Sequence, residues 1–130
     1  MNHTRLSQRI AEFRKAVQRL EAACRQPKDE FIRDSVIQRF EFCYELAWKM
    51  LKLRLAEEDI DVRSPKATLQ AALEMGLIDD GNAWTELHRV RNLTTHTYDE
   101  SLAEEVYTFV CRIGLPLLQR LAQAAETWKR

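Results

Sequence analysis

Ile37-Gln38-Arg39-Phe40-Glu41-Phe42-Cys43-Tyr44-Glu45-Leu46-Ala47-Trp48-Lys49-Met50-Leu51 decides the fold of this 130-residue chain. Ile37, Phe40, Tyr44, Ala47 and Leu51 recur every three or four positions, with Val36, Cys43 and Met50 in a row beside them. At 3.6 residues per turn that pattern is a helix with a very wide apolar arc. A helix apolar over so much of its girth belongs at the centre of a bundle, and the pattern carries it from about residue 29 to 58.

The flanking segments repeat the helical period. Leu6, Ile10, Phe13, Val17, Leu20 and Cys24 draw one stripe from about residue 4 to 25, before Pro27 stops it. Ser64-Pro65 is a good N-cap followed by the residue favoured at the first helical position, and Gly76 closes a short helix holding Leu69, Ala72, Leu73 and Met75. A turn at Asp79-Asp80-Gly81-Asn82 precedes another short helix, from about 83 to 95, with Trp84, Leu87 and Val90. Ser101 and Glu104 read as a capping box opening a long last helix with Val106, Phe109, Ile113, Leu117, Leu121 and Trp128, which Pro116 should kink or interrupt. With three Gly and three Pro in all, strands have little foothold. The expected fold is all-α, an antiparallel up-and-down bundle of four to five helices forming one domain over residues 1–130.

Composition narrows the function. A chain of this length buries about two-thirds of its unfolded surface without a staple. Twenty basic and twenty acidic residues cancel, so polyanion binding has to come from a local patch. Cys24, Cys43 and Cys111 are odd in number, lack CxxC spacing and sit in apolar patterns, as reduced, buried thiols would. No run approaches the roughly 18 apolar residues of a membrane span, which predicts a soluble, cytoplasmic protein.

Arg91-Asn92-Leu93-Thr94-Thr95-His96-Thr97-Tyr98 gathers the chemistry. Arginine offers a fixed fork of donors to a phosphodiester, and histidine can take and give a proton near neutrality. On a straight helix Arg91 and His96 would point roughly 140° apart. The β-branched Thr94, Thr95 and Thr97 have hydroxyls that can bond the backbone, so the helix is expected to loosen or end here. Either the loosened turn brings the two together or, as we favour, two copies of the segment meet across a two-fold axis.

This segment and the block Gln38-Arg39-Phe40-Glu41-Phe42-Cys43-Tyr44-Glu45-Leu46-Ala47-Trp48-Lys49 together resemble HEPN domains. More specifically, the chain resembles the nucleotidyltransferase substrate-binding branch, small helical proteins paired with a minimal nucleotidyltransferase in prokaryotic toxin-antitoxin modules. The resemblance implies a helical bundle that dimerises with its R-x4-H segments at a shared cleft, and metal-independent cleavage of RNA, tRNA or mRNA. It implies that His96 is the general base or acid at a ribose 2′-hydroxyl, that Arg91 holds the phosphate and that Asn92 is a supporting polar group. Tyr98 matches the tyrosine that the partner nucleotidyltransferase (MNT, the antitoxin) modifies with AMP. No cofactor is then held by this chain; Mg-ATP belongs to the partner.

Plainer readings stand beside these. The same surface can serve a non-catalytic substrate-binding or regulatory subunit, or a structural adaptor. Tyr98 can instead pack at the bundle end with its hydroxyl bonded. His88 and Arg89 read as a solvated helix face rather than an extended basic patch, and His3 as a mobile terminus. His88 and His96 lack a third metal ligand at helical spacing. Glu45 and Lys49 are spaced for an i,i+4 ion pair. Trp48 and Phe42 can face a partner, and Arg39, Glu41 and Glu45 are candidates for polar contacts trapped between helices or protomers.

Overall fold

The segment that decides the fold forms α2, Glu30–Ala56, started by Asp29, whose carboxylate accepts from the Ile32 amide at 2.7 Å. The structure is a computed structural model that describes residues 2–129, with side chains from Thr4 onward, so the His3 side chain lies outside what is described. Phe40, Cys43, Met50, Leu51 and Leu55 of α2 are wholly buried. α1, Asn2–Cys24, lays Leu6, Ile10, Phe13 and Leu20 against α2, and the short connection between them makes the pair antiparallel.

α3, Pro65–Glu74, has the expected cap: Ser64 Oγ accepts from the Ala67 amide at 3.1 Å. Gly76 closes it in the left-handed region at φ 74°, with Gly76 N donating to Leu73 O and Leu77 N to Ala72 O. α4, Gly81–Leu93, starts two residues before the expected position because Asp80 caps it, accepting from the Ala83 amide at 3.2 Å. A 3-10 turn, Thr94–His96, follows.

The last rod is continuous from α5, Glu100–Phe109, through one π turn, Val110–Gly114, into α6, Leu115–Glu126. Pro116 has no amide hydrogen for the Arg112 carbonyl and its ring would crowd that oxygen. The helix widens just ahead of it, Leu115 N donating to Val110 O, so the expected interruption takes the form of a π turn. The cap departs from expectation. Asp99, not Ser101, opens α5, accepting from the Ser101 and Leu102 amides at 2.9 and 3.2 Å, because the 3-10 turn delivers Asp99 to the helix start.

The result is an all-α antiparallel bundle, with no strand among the described residues, in which α2 touches α1, α3, α4 and α5. One charged clamp crosses it. Arg33, almost fully buried on α2, donates to Glu100 at 2.6 Å and Glu104 at 3.3 Å on α5, and Asp34 lies 3.2 Å from its Nε. Lys28 also pairs with Glu104. These contacts hold Glu104 below the usual carboxylate range and fasten the start of α5 directly after the Arg91-to-Tyr98 segment.

Candidate functional site

α4 buries Trp84, Leu87 and Val90, which fixes the rotation of its last turn and turns Arg91 toward α2. The helix then ends as the threonines predicted. Thr94 Oγ1 donates to Arg91 O at 2.7 Å, Thr95 Oγ1 to Asn92 O at 3.2 Å and Thr97 Oγ1 to Thr94 O at 3.2 Å. Each hydroxyl donates to a carbonyl of the last helical turns, and Arg91 O accepts from the Thr94 amide as well. The chain therefore tightens and swings His96 and Tyr98 into solvent.

Arg91 is the anchored half of the segment. Its side chain is 23% exposed; Nη2 lies 3.8 Å from Glu45 Oε1, Nη1 donates to Thr94 Oγ1 at 3.3 Å, and the guanidinium sits 5.7 Å from the Tyr44 ring centre. Its Nε is buried without a partner. Glu45 also accepts from Trp48 Nε1 at 2.6 Å within α2, so the expected Glu45–Lys49 pair gives way to Trp48 and, across to α4, Arg91. Behind Arg91, the Tyr44 hydroxyl and His88 Nδ1 are 2.6 Å apart. Burial pushes the Tyr44 phenol up to about 12, while burial, Lys66 and Arg91 hold the His88 imidazolium below its ordinary value. Tyr44 is accordingly the donor and neutral His88 the acceptor, with the His88 proton on Nε2.

His96 and Tyr98 form the exposed half. His96 Nδ1 is 3.3 Å from the Tyr98 hydroxyl, the rings meeting edge-on at 75° with centres 6.0 Å apart. Tyr98 is 83% exposed, which overturns the packed alternative for it. Asn92 is exposed beside them. Within one chain, no hydrogen bond or ring contact among the described residues joins Arg91 to His96.

The remaining candidates sort by partner. Arg89 is exposed and taken up by Glu86 at 3.0 and 3.1 Å, as the solvated-face reading expected, whereas His88 departs from that reading, half-buried against the Tyr44 hydroxyl. Arg39 does make a contact between helices, Nη1 donating to Arg19 O at 2.8 Å, whereas Glu41 makes no hydrogen bond or ion pair among the described residues. Phe42 is exposed and Trp48 half-buried. Cys43 is buried, its thiol pushed up to about 12; Cys24 and Cys111 are only half-buried, with Cys111 Sγ donating to Cys24 Sγ at 2.9 Å. No three His, Cys, Asp or Glu among the described residues converge as a metal site requires, and no described helix is long and apolar enough to cross a membrane. Sequence reasoning missed the Arg33 clamp, the Arg91–Glu45 contact and the Tyr44–His88 bond, all between residues more than forty positions apart.

Residues 8–127 match the family described as "Nucleotidyltransferase substrate binding protein like". A curated relative from Haemophilus influenzae, "Probable ribonuclease HepT", is 43% identical over 76 residues, 55% of this chain; the chain spans about half, 52%, of that relative's length. A crystal structure of a Thermus thermophilus protein superposes with TM-score 0.75 at 32% identity, covering 89% of this chain and 97% of that one. A Haemophilus influenzae structure described as the fold of a substrate binding domain of a nucleotidyltransferase gives TM-score 0.68 at 29% identity, covering 95% and 98%.

Proposed function

The chain belongs to the nucleotidyltransferase substrate binding protein-like family, the HEPN branch that its two sequence blocks resemble, and from that membership we propose that it is the ribonuclease toxin of a toxin-antitoxin pair. His96 deprotonates a ribose 2′-hydroxyl, whose oxygen attacks the adjacent phosphorus, and the departing 5′-oxygen takes up a proton. Arg91 holds the phosphate and offsets the charge that develops on it, with Asn92 as a supporting polar group. A homodimer sets the two segments against one cleft, and no metal or other cofactor takes part. The partner nucleotidyltransferase, using Mg-ATP, silences the protein by placing AMP on Tyr98, a bulky anion beside His96.

The observation that carries this reading is the exposed His96 ring, hydrogen-bonded to the exposed Tyr98 hydroxyl one short turn beyond Arg91. The relative named a probable ribonuclease supports it. The test incubates the purified, unmodified protein with tRNA and mRNA in EDTA, beside His96→Ala, on a denaturing gel. Cleavage by wild type alone is expected; none from a folded dimer with unmodified Tyr98 would overturn the proposal.

One observation favours a second reading. Arg91 is already engaged by Glu45, Thr94 and Tyr44, as suits a docking residue in a substrate-binding subunit, and the Haemophilus influenzae structure is described in those terms. On that reading His96→Ala weakens complex formation with the nucleotidyltransferase and no RNA is cut.

A further inference from the structure

Beside the His96–Tyr98 pair lies an open groove of about 540 Å³ between the start of α2 and the turn before α5. Two aromatic rings line it and stand almost wholly in water, Phe31 at 82% and Tyr98 at 83% exposure. Buried aromatic faces dominate core energetics, so a pair left in solvent at one groove calls for a flat apolar occupant. The other lining groups set its polarity. Asp34 is already taken up by Arg33, but Glu41, half-buried on the same face of α2, has no hydrogen-bond or ion-pair partner among the described residues. Its carboxylate can only accept. No lysine or arginine lines the groove, so it repels a phosphate and suits a neutral group carrying N–H donors.

We infer that this groove seats a guanine base of the RNA, stacked on Phe31 and Tyr98, with Glu41 accepting from its N1–H and its exocyclic amino group. The inference rests on the ribonuclease reading above and gives that site a base preference. Of the four bases only guanine offers two adjacent donors that a single carboxylate receives side by side. Stacking supplies affinity without regard to sequence; Glu41 supplies the choice. The Tyr98 hydroxyl bonded to His96 ties the seat to the reacting end, so a base held here places a neighbouring ribose at the imidazole.

The test is fluorescence anisotropy on the full chain with non-cleavable 2′-fluoro uridine oligonucleotides carrying one central guanine, inosine or adenine. Inosine keeps N1–H and lacks the amino group. Wild type is expected to bind the guanine strand about tenfold more tightly than the other two. Glu41→Gln should bring the three level, and Phe31→Ala should weaken all three by about tenfold. Both variants alter exposed or half-exposed positions, and their thermal melts verify folding. Equal wild-type affinities, or a guanine preference that survives Glu41→Gln, would overturn the inference. So would Phe31→Ala turning a dimer into a monomer with oligonucleotide binding unchanged, since the groove would then be a contact between copies. Cleavage in EDTA, run in parallel, separates the two claims: guanine preference without cleavage sinks the ribonuclease reading alone, and cleavage without guanine preference sinks the base seat alone.

Discussion

If Arg91 holds a phosphate, Glu45 competes for the same guanidinium, and neutralising Glu45 should tighten RNA binding. Arg91 Nη2 and Glu45 Oε1 are 3.8 Å apart, which is about 1 kcal/mol in bulk water and about 4 kcal/mol at an effective dielectric of about 20. The two side chains are 23% and 43% exposed, so solvent screens the pair toward the roughly 0.2–1 kcal/mol measured for exposed ion pairs. Glu45→Gln keeps the shape of the side chain and an oxygen for Trp48 Nε1, and removes only the charge. The affinity for a non-cleavable oligonucleotide should therefore rise between about 1.4-fold and about fivefold in low salt. The gain should shrink toward 1 M salt, where the screening length falls to about 3 Å. Stability should drop by no more than about 1 kcal/mol, about 4 °C in Tm for a chain of this size. Weaker binding by Glu45→Gln at every salt concentration, matching Arg91→Ala, would refute the reasoning and make Glu45 the residue that positions Arg91.

Two further outcomes follow from the geometry. Asp99→Ala should destabilise the protein by about 1 kcal/mol in urea, and Ser101→Ala by much less, because Asp99 accepts from the first amides of α5; the reverse order would restore the capping box read from the sequence. Because the folded-state pKa of His88 is depressed, the unfolded chain binds a proton where the folded chain does not, so stability is full above about pH 6.5 and falls as the pH drops from there to the lower folded value; Tm should fall less between about pH 7.5 and about pH 5.5 in His88→Phe than in wild type, and an equal fall would remove His88 from the account.

What the sequence disclosed was local, and what it hid was long-range. The stripes of α1 and α2, the Ser64 cap and the Gly76 stop are patterns within one or two turns, where spacing alone fixes which atoms meet. The same holds for Thr94, Thr95 and Thr97, whose hydroxyls reach carbonyls three residues back. Glu45 shows the limit. Its i,i+4 spacing to Lys49 is worth a few tenths of a kcal/mol, and a contact to Arg91, forty-six residues on, displaces it once α4 docks on α2. Asp99 and Ser101 are both competent caps, and only the path of the 3-10 turn, with Asp99 N donating to His96 O at 3.1 Å, decides between them. The two blocks on α2 and α4 were visible as separate patterns; that one supplies the carboxylate for the arginine of the other was not.

The segment from Arg91 to Tyr98 divides into a half built to stay and a half built to be reached. Arg91 is set by α4 packing, Thr94, Glu45 and the Tyr44 ring, and the Arg33 clamp fastens the chain on the other side of the turn. The His96 and Tyr98 side chains project from between these two fixed points, and among the described residues their hydrogen bond is to each other. In the proposed regulation this division explains why the tyrosine is an effective point of control. A base acting through Nε2 carries its proton on Nδ1 and donates from there to the Tyr98 oxygen; esterifying that oxygen with AMP leaves a poorer, more crowded acceptor and loosens the contact that orients the ring. The added phosphate then stands next to the ring and favours its protonated form, which cannot accept a proton from a 2′-hydroxyl. Arg91 and the packing behind it need not move. On this proposal a modification at one exposed atom changes the protonation and hydrogen bonding of His96 while leaving the bundle, and Arg91 within it, intact.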